Sequence, residues 1–345
     1  LDKSLITSII SLIVFFLFLI FKHYFIHKKN NFETISYSKI YLKYRKFILP
    51  SYFFIILFIV ILNLNLKVYH KGLLPLADLP KTIILILKWF HLIGMGFLTC
   101  IILYWEFLLN KKNDLFYLII ILFEGFLTNL SLFSRSMIFY SGSILIGLIG
   151  FAEKIRNKKF INYYKKILLS LIILLLFYVI NFSLVSKLRD KNYISLNINS
   201  NNTEIVANTE VKKTNMFDHF LELALERWVG MDAVIATNLN HEKLSMSLFT
   251  DSFKEKFDAS SVSFYEMKFL KHATAREFEN SNQVILPGIV AYLNYSGSKV
   301  FLFIFCFILS SSFLAFEKFF IKISFGNHIL SSFISYLIVW RLIHY

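Results

Sequence analysis

Lys88, His91, Glu106, Glu124 and Asn129 fall inside long apolar runs, and Ser134-Arg135-Ser136 stands where one run ends and the next begins. A charge at membrane depth costs about 3 kcal/mol even on the lenient insertion scale, so such groups face a partner or a cavity. Lys88 and Glu124 carry opposite signs, as an ion pair between two spans would. His91 reads as either a satisfied interior histidine or a proton carrier. His23 and His27 stand at i, i+4 spacing at the end of the first run, with no third ligand to complete a metal site. Arginine is scarce, at 7 against 30 lysines. Where lysine is the default cation, a planar guanidinium marks places where a bidentate grip on phosphate or carboxylate is useful. Asp-x-Asp pairs, Gly-rich phosphate loops, Gly-x-Ser-x-Gly elbows and His-Glu-x-x-His motifs are absent from the chain. The residues therefore offer none of the usual metal-held sugar-nucleotide or nucleophile-elbow arrangements.

The elements that must position these residues follow from composition. Hydrophobic residues make up 57% of the chain and the mean hydropathy is +0.61. Several runs approach the roughly 20 apolar residues that span a hydrocarbon core. Predicted spans are Leu5 to Phe25, Phe47 to Leu66, Ile83 to Leu109, Leu115 to Phe133, Met137 to Ala152, Ile167 to Val185, Val300 to Phe316, and one from Ile329. Seven or eight crossings are thus expected, while Val284 to Leu293 is too short to cross and reads as a re-entrant or half helix. Backbone groups in lipid must be satisfied internally, and these runs do not alternate, so the expected fold class is all-α, a polytopic transmembrane helical bundle. The first residue is not Met and the last run is cut at Tyr345, which reads as an excerpt at both ends; Leu5 to Phe25 lacks the leader and cleavage site of a signal peptide. Cys100 and Cys306 both fall in spans and read as small apolar residues with no disulfide implied.

Between two spans lies a polar insert, residues 187–283, after a bundle at 1–186 and before a C-terminal part at 284–345. Short segments His27 to Lys46, Asn110 to Asp114, Glu153 to Lys166 and Glu317 to Asn327 together carry 16 basic residues, whereas the opposite connections carry only Lys67, Lys71, Lys81 and Arg135. The positive-inside rule makes the first set cytoplasmic and the large, partly helical insert external. The insert has 12 basic and 14 acidic residues, so the chain's net charge of +15 belongs to its membrane part. That basicity orients the protein on anionic lipid and does not imply nucleic-acid binding. Within the insert, Asn192 to Thr214 is rich in Asn, Ser and Thr and reads as a flexible tether. Phe217, Phe220, Leu221, Ala224 and Trp228 form one helix face, and Phe249, Phe253, Phe257, Phe264, Tyr265, Phe269 and Phe278 supply anchors for short helices laid over the outer surface.

Leu132-Phe133-Ser134-Arg135-Ser136-Met137-Ile138 resembles the Ser-Arg element of bacterial O-antigen polymerases and ligases. Glu226-Arg227-Trp228-Val229-Gly230-Met231-Asp232, Leu286-Pro287-Gly288-Ile289-Val290-Ala291 and Tyr295-Ser296-Gly297-Ser298 look like phrases of the polymerase-type proteins that build surface polysaccharides. Many spans with one large external loop toward the C-terminal end match the same family along nearly the whole chain.

The resemblance implies polymerisation of undecaprenyl-diphosphate-linked oligosaccharide repeat units by metal-independent inverting glycosyl transfer. The reaction would take place at the outer face of the bacterial cytoplasmic membrane. Such a reaction needs cations against the diphosphate leaving group, for which Arg135, Arg227, Arg276 and Arg189 are the candidates. It also needs a base or orienting group for the acceptor hydroxyl, with Asp232, His241, Glu226 and His272 as candidates. No cofactor and no metal ligand are expected; the implied partners are the lipid-linked oligosaccharide, membrane lipid, a chain-length regulator and a flippase. An O-antigen ligase shares the Ser-Arg element. A flippase or transporter of lipid-linked glycans is the non-enzymatic alternative, expected to show repeated spans, of which none is visible here.

Overall fold

The computed structural model describes residues 2–26, 39–70, 79–109, 114–134, 136–156, 164–199, 231–255, 264–269 and 288–343. Among these residues the regular structure is entirely helical. In chain order the helices are α1 (Asp2–Ile26), α2 (Lys39–Leu66), α3 (Lys81–Trp89), a π turn (Phe90–Gly94), α4 (Met95–Leu109), α5 (Asp114–Ser131), α6 (Met137–Arg156) and α7 (Tyr164–Asn199). The later part holds α8 (Met231–Leu239), a 3-10 turn (His241–Lys243), α9 (Met246–Ser252), α10 (Phe264–Phe269), α11 (Gly288–Asn294), α12 (Lys299–Ile323) and α13 (His328–Ile343).

Among the described residues, five helical stretches are long and apolar enough to cross a membrane: Lys39–Leu66, Lys81–Leu109, Asp114–Ser131, Leu168–Arg189 and Lys299–Ile323. The other three predicted spans carry shorter apolar stretches, Lys3–Phe18, Met137–Glu153 and His328–Val339. A multi-pass helical membrane protein is the architecture these lengths support. Large apolar side chains such as Phe47, Phe54, Leu85 and Leu168 stand more than half exposed on the helix surfaces, as lipid-facing residues do.

The chain forms two compact units. The larger, Phe32–Asn208 with Glu317–Leu337, is organised around α5, which packs on α2, α4, α6 and α7. Small residues allow close approach: a Cβ at Gly125 would collide with Ser141 Oγ on α6, and one at Gly147 on α6 would lie 2.8 Å from the Ile329 backbone on α13. Close backbone approach through small residues is how membrane helices gain packing energy when burial from water no longer drives them together. In α7 the helix runs on to Asn199, into the stretch that composition reads as a tether. No Gly or Pro interrupts residues 164–199, so polar composition alone does not stop the backbone ladder.

The smaller unit, Leu1–Asn31, Thr209–Phe316 and Ile338–Tyr345, packs α1, α8 and α11 together. Its core joins Val234, Phe249, Tyr265, Phe269, Leu293, Tyr295 and Leu302. The expected short helices of the insert are thus present as α8 to α10, anchored by Phe249, Tyr265 and Phe269, whereas Phe253 is 67% exposed. Phe217 to Trp228, Phe257 and Phe278 lie outside the described residues. Of the run Val284 to Leu293, residues 288–293 fall in the seven-residue α11, which begins at Gly288 with φ 73, and residues 284–287 lie outside the described residues. That left-handed backbone suits glycine.

Candidate functional site

Among the described residues of the larger unit, three groups of buried polar side chains involve the candidate residues or their helices. At the end formed by the start of α2 and the close of α4, the Glu106 carboxylate is 1% exposed and receives Arg45 Nε and Nη2, each at 2.7 Å. Tyr41 donates to the same carboxylate at 2.7 Å, and the Tyr117 hydroxyl donates to the Glu106 carbonyl at 3.2 Å. This is a fork-on-fork ion pair with its spare lone pairs used, which is the form in which a buried carboxylate is tolerated. It locks α2, α4 and α5 together at the end that carries the basic segments.

The second cluster lies at the opposite end. Asn63, in the last turn of α2, donates to the Ser131 carbonyl at 2.9 Å and to the Tyr69 carbonyl at 3.1 Å, and accepts from Tyr69 N–H at 2.9 Å. Ser131 Oγ lies 2.7 Å from His91 Nε2. His91 is 2% exposed and belongs to the π turn that interrupts the Lys81–Leu109 span. Single π turns inside helices re-aim side chains and recur at functional sites; here the turn aims the imidazole at the end of α5. His91 is therefore hydrogen-bonded within the interior.

Between α5 and α6 the backbone reverses in a tight, hydrogen-bonded turn. Phe133 sits at φ 52, Ser134 N–H donates to the Asn129 carbonyl at 2.8 Å, and Ser136 Oγ lies 2.7 Å from Ser134 Oγ and donates to Asn129 Oδ1 at 3.3 Å. The two residues that flank Arg135 are thus fixed by partners, while Arg135 itself lies outside the described residues. Ring contact between Phe133 and His70, at 4.1 Å, ties this turn to the loop after α2. A small cavity of about 10 Å³, with Asn63, Tyr69, Lys88 and His91 among its lining, opens beside the network. Lys88 Nζ stands 4.5 Å from the centre of the Tyr69 ring, a cation–π contact.

The expected Lys88–Glu124 pair is not formed. Glu124, fully buried in the third cluster, accepts from Tyr140 at 2.8 Å and from Thr128 at 2.9 Å, both on Oε1. Hydroxyl groups on α5 and α6 reach that carboxylate, and Lys88 meets the Tyr69 ring instead. Opposite sign in two spans does not fix their rotation or relative depth, which is why sequence alone cannot pair them.

Other sequence candidates are distributed as follows. Asp232 lies in the first turn of α8 in the smaller unit, and its side chain is outside the description. His241 opens the 3-10 turn and is exposed to solvent. Arg189 is half-buried near the far part of α7. Glu226, Arg227, His272 and Arg276, like His27, lie outside the described residues, and the side chain of His23 is not described. Cys100 is buried and Cys306 half-buried, both as free thiols. Sequence reasoning missed the Asn63–Ser131–His91 network, although Asn63 one turn from the end of an apolar run was a visible signal: an amide there needs partners.

His70 carries a pH consequence. Burial, with Lys67 nearby, lowers its pKa from the ordinary 6.5 to about 4. The folded chain binds this proton more weakly than the unfolded chain, so the stabilisation is complete above pH 6.5 and is lost as pH falls toward 4. The shift corresponds to about 3 kcal/mol at its limit. The melting temperature of the purified protein should fall between pH 7 and pH 4.5, and His70→Phe, which keeps a ring against Phe133, should flatten the fall. An equally steep fall in that variant would place the sensitivity elsewhere.

Comparison with models of known families, with curated proteins and with solved structures found no match to this chain.

Proposed function

We propose that the chain polymerises lipid-diphosphate-linked oligosaccharide repeat units in the bacterial cytoplasmic membrane by inverting glycosyl transfer at its outer face. The observation that carries this reading is the polar network around the Ser134–Ser136 turn. Asn63, His91, Asn129 and Ser131 are buried there, at the bundle end opposite the basic segments. Neighbours held on either side of Arg135 are what a diphosphate clamp there would require, because a fork misplaced by even an ångström loses its second hydrogen bond. The Ser-Arg phrase and the phrase Glu226 to Asp232 supply the resemblance to O-antigen polymerases, and charge asymmetry among the short segments supplies the orientation.

In this mechanism Arg135 and Arg227 receive charge developing on the leaving diphosphate, assisted by Arg276 and Arg189. Asp232, His241 or Glu226 orients the acceptor hydroxyl and takes its proton. The anomeric carbon–oxygen bond to the diphosphate breaks as the new glycosidic bond forms on the opposite face, so no energy source beyond the sugar diphosphate is consumed. Deleting the gene should leave the cell with lipid-linked glycans of a single repeat unit, visible by mass spectrometry of extracted lipids. Full-length surface polymer in the deletion strain would refute the assignment.

A further inference from the structure

Glu124 takes no part in the mechanism above, and the way it is held is unusual for a structural carboxylate. Its Oε1 accepts both the Tyr140 and the Thr128 hydroxyls, while Oε2, equally enclosed, has no hydrogen-bond partner. Ser141 on α6 is also fully buried and its Oγ has no hydrogen-bond partner. These two atoms belong to the same helix interface: Ser141 Oγ lies against Gly125, the residue after Glu124, and Tyr140, the residue before Ser141, bonds the Glu124 carboxylate. Orphaned buried oxygens are costly, and most polar groups at such depth find a partner. Two of them at one helix interface, one on a carboxylate, leave oxygen lone pairs that a cation between α5 and α6 would satisfy. No Lys, Arg or His among the described residues supplies it: Arg45 is engaged by Glu106, Lys88 by Tyr69 and His91 by Ser131.

We propose that Glu124 and Ser141, with the lone pairs of the Thr128 and Tyr140 hydroxyls, bind a dehydrated alkali-metal cation, with sodium as the probe. All four groups are hard oxygen donors, which suits alkali and alkaline-earth ions rather than softer metals. The single carboxylate decides between those two classes. It neutralises one positive charge, and a divalent ion would leave an uncompensated charge in a medium where that is expensive. Bound to these groups, the alkali cation ties α5 to α6 on either side of the turn that carries Arg135. The site stands independently of sugar transfer, and its occupancy is read without any substrate.

The test uses the purified full chain in choline chloride, with sodium chloride replacing choline at constant ionic strength. Wild type should retain radioactive sodium at about one ion per chain, and Ser141→Ala should weaken that binding. Modification of Glu124 by a hydrophobic carbodiimide, located by peptide mass spectrometry, should slow about tenfold at a sodium concentration roughly ten times the dissociation constant. Glu124→Gln keeps an oxygen acceptor for Tyr140 and Thr128 and should lose sodium retention. Should that variant fail to fold, the carbodiimide rates on wild type alone decide. Equal labelling rates in sodium and choline, with no sodium retained, would mean that the carboxyl holds only a proton, and would overturn the proposal.

Discussion

Arg45→Met is expected to destabilise the larger unit by about 3 to 5 kcal/mol, more than Glu106→Gln does. The asymmetry follows from exposure: the Arg45 side chain is 42% exposed and the Glu106 side chain 1%. An arginine deprived of its partner turns its fork to water or lipid headgroups. A carboxylate deprived of its arginine stays enclosed with only the Tyr41 hydroxyl to bond it. Glu106→Gln removes the charge but leaves an amide oxygen for Tyr41 and Arg45, and its cost should stay near the 1.5 to 3 kcal/mol typical of a hydrogen bond to a charged group, or roughly below it. The double variant should recover much of what Arg45→Met loses, because it no longer encloses an unpaired charge. Unfolding of the detergent-solubilised protein by graded sodium dodecyl sulfate gives all four stabilities. Equal costs for the two single variants would contradict a desolvated pair with one exposed partner.

Arg135→Ala and Arg227→Ala should each lower polymer synthesis by about 10²- to 10³-fold, the range found when one pre-aimed donor is removed from a site that stabilises developing charge. Lysine at either position keeps the charge and loses the planar fork, so Arg135→Lys and Arg227→Lys should recover only a small part of that activity. The neighbouring geometry sharpens the case at position 135. Ser134 and Ser136 are held by each other and by Asn129, so Asn129→Ala, which loosens the turn without removing a charge, should lower synthesis less than Arg135→Ala does. Polymer yield in a deletion strain, normalised to protein in the membrane, measures all of these. Full synthesis by both lysine variants would move the diphosphate clamp to other residues.

Much of the fold is legible in the chain because lipid imposes so strict a rule: an apolar run near 20 residues has few structures open to it besides a helix. The runs at Lys39–Leu66, Lys81–Leu109 and Lys299–Ile323 show this directly. Polar pairing is where the reading stops. Glu106 meets Arg45 across 61 residues, and Glu124 meets Tyr140 across 16, pairings set by helix rotation and depth that periodicity does not encode in uniformly apolar helices. His91 owes its aim to a π turn with no sequence mark beyond Gly94. The end of α7 shows the converse limit, since composition described residues 192–199 as a tether and the backbone continues as helix. For the site itself, the Ser134–Ser136 turn was visible in the sequence, whereas the Asn63–Ser131–His91 network behind it was not.

On the proposed function, this membrane protein makes glycosidic bonds without a partner enzyme. Purified protein, supplied in detergent with lipid-linked single repeat units and no other energy source, should convert them to a ladder of longer glycans on gels or by mass spectrometry. The ladder should persist in EDTA, since the sequence offers no cluster of metal ligands for a divalent ion and EDTA leaves alkali cations free. Transfer onto lipid A core in place of another repeat unit would make the chain a ligase. A protein that moves the lipid across liposome membranes while every repeat unit stays unextended would contradict the account.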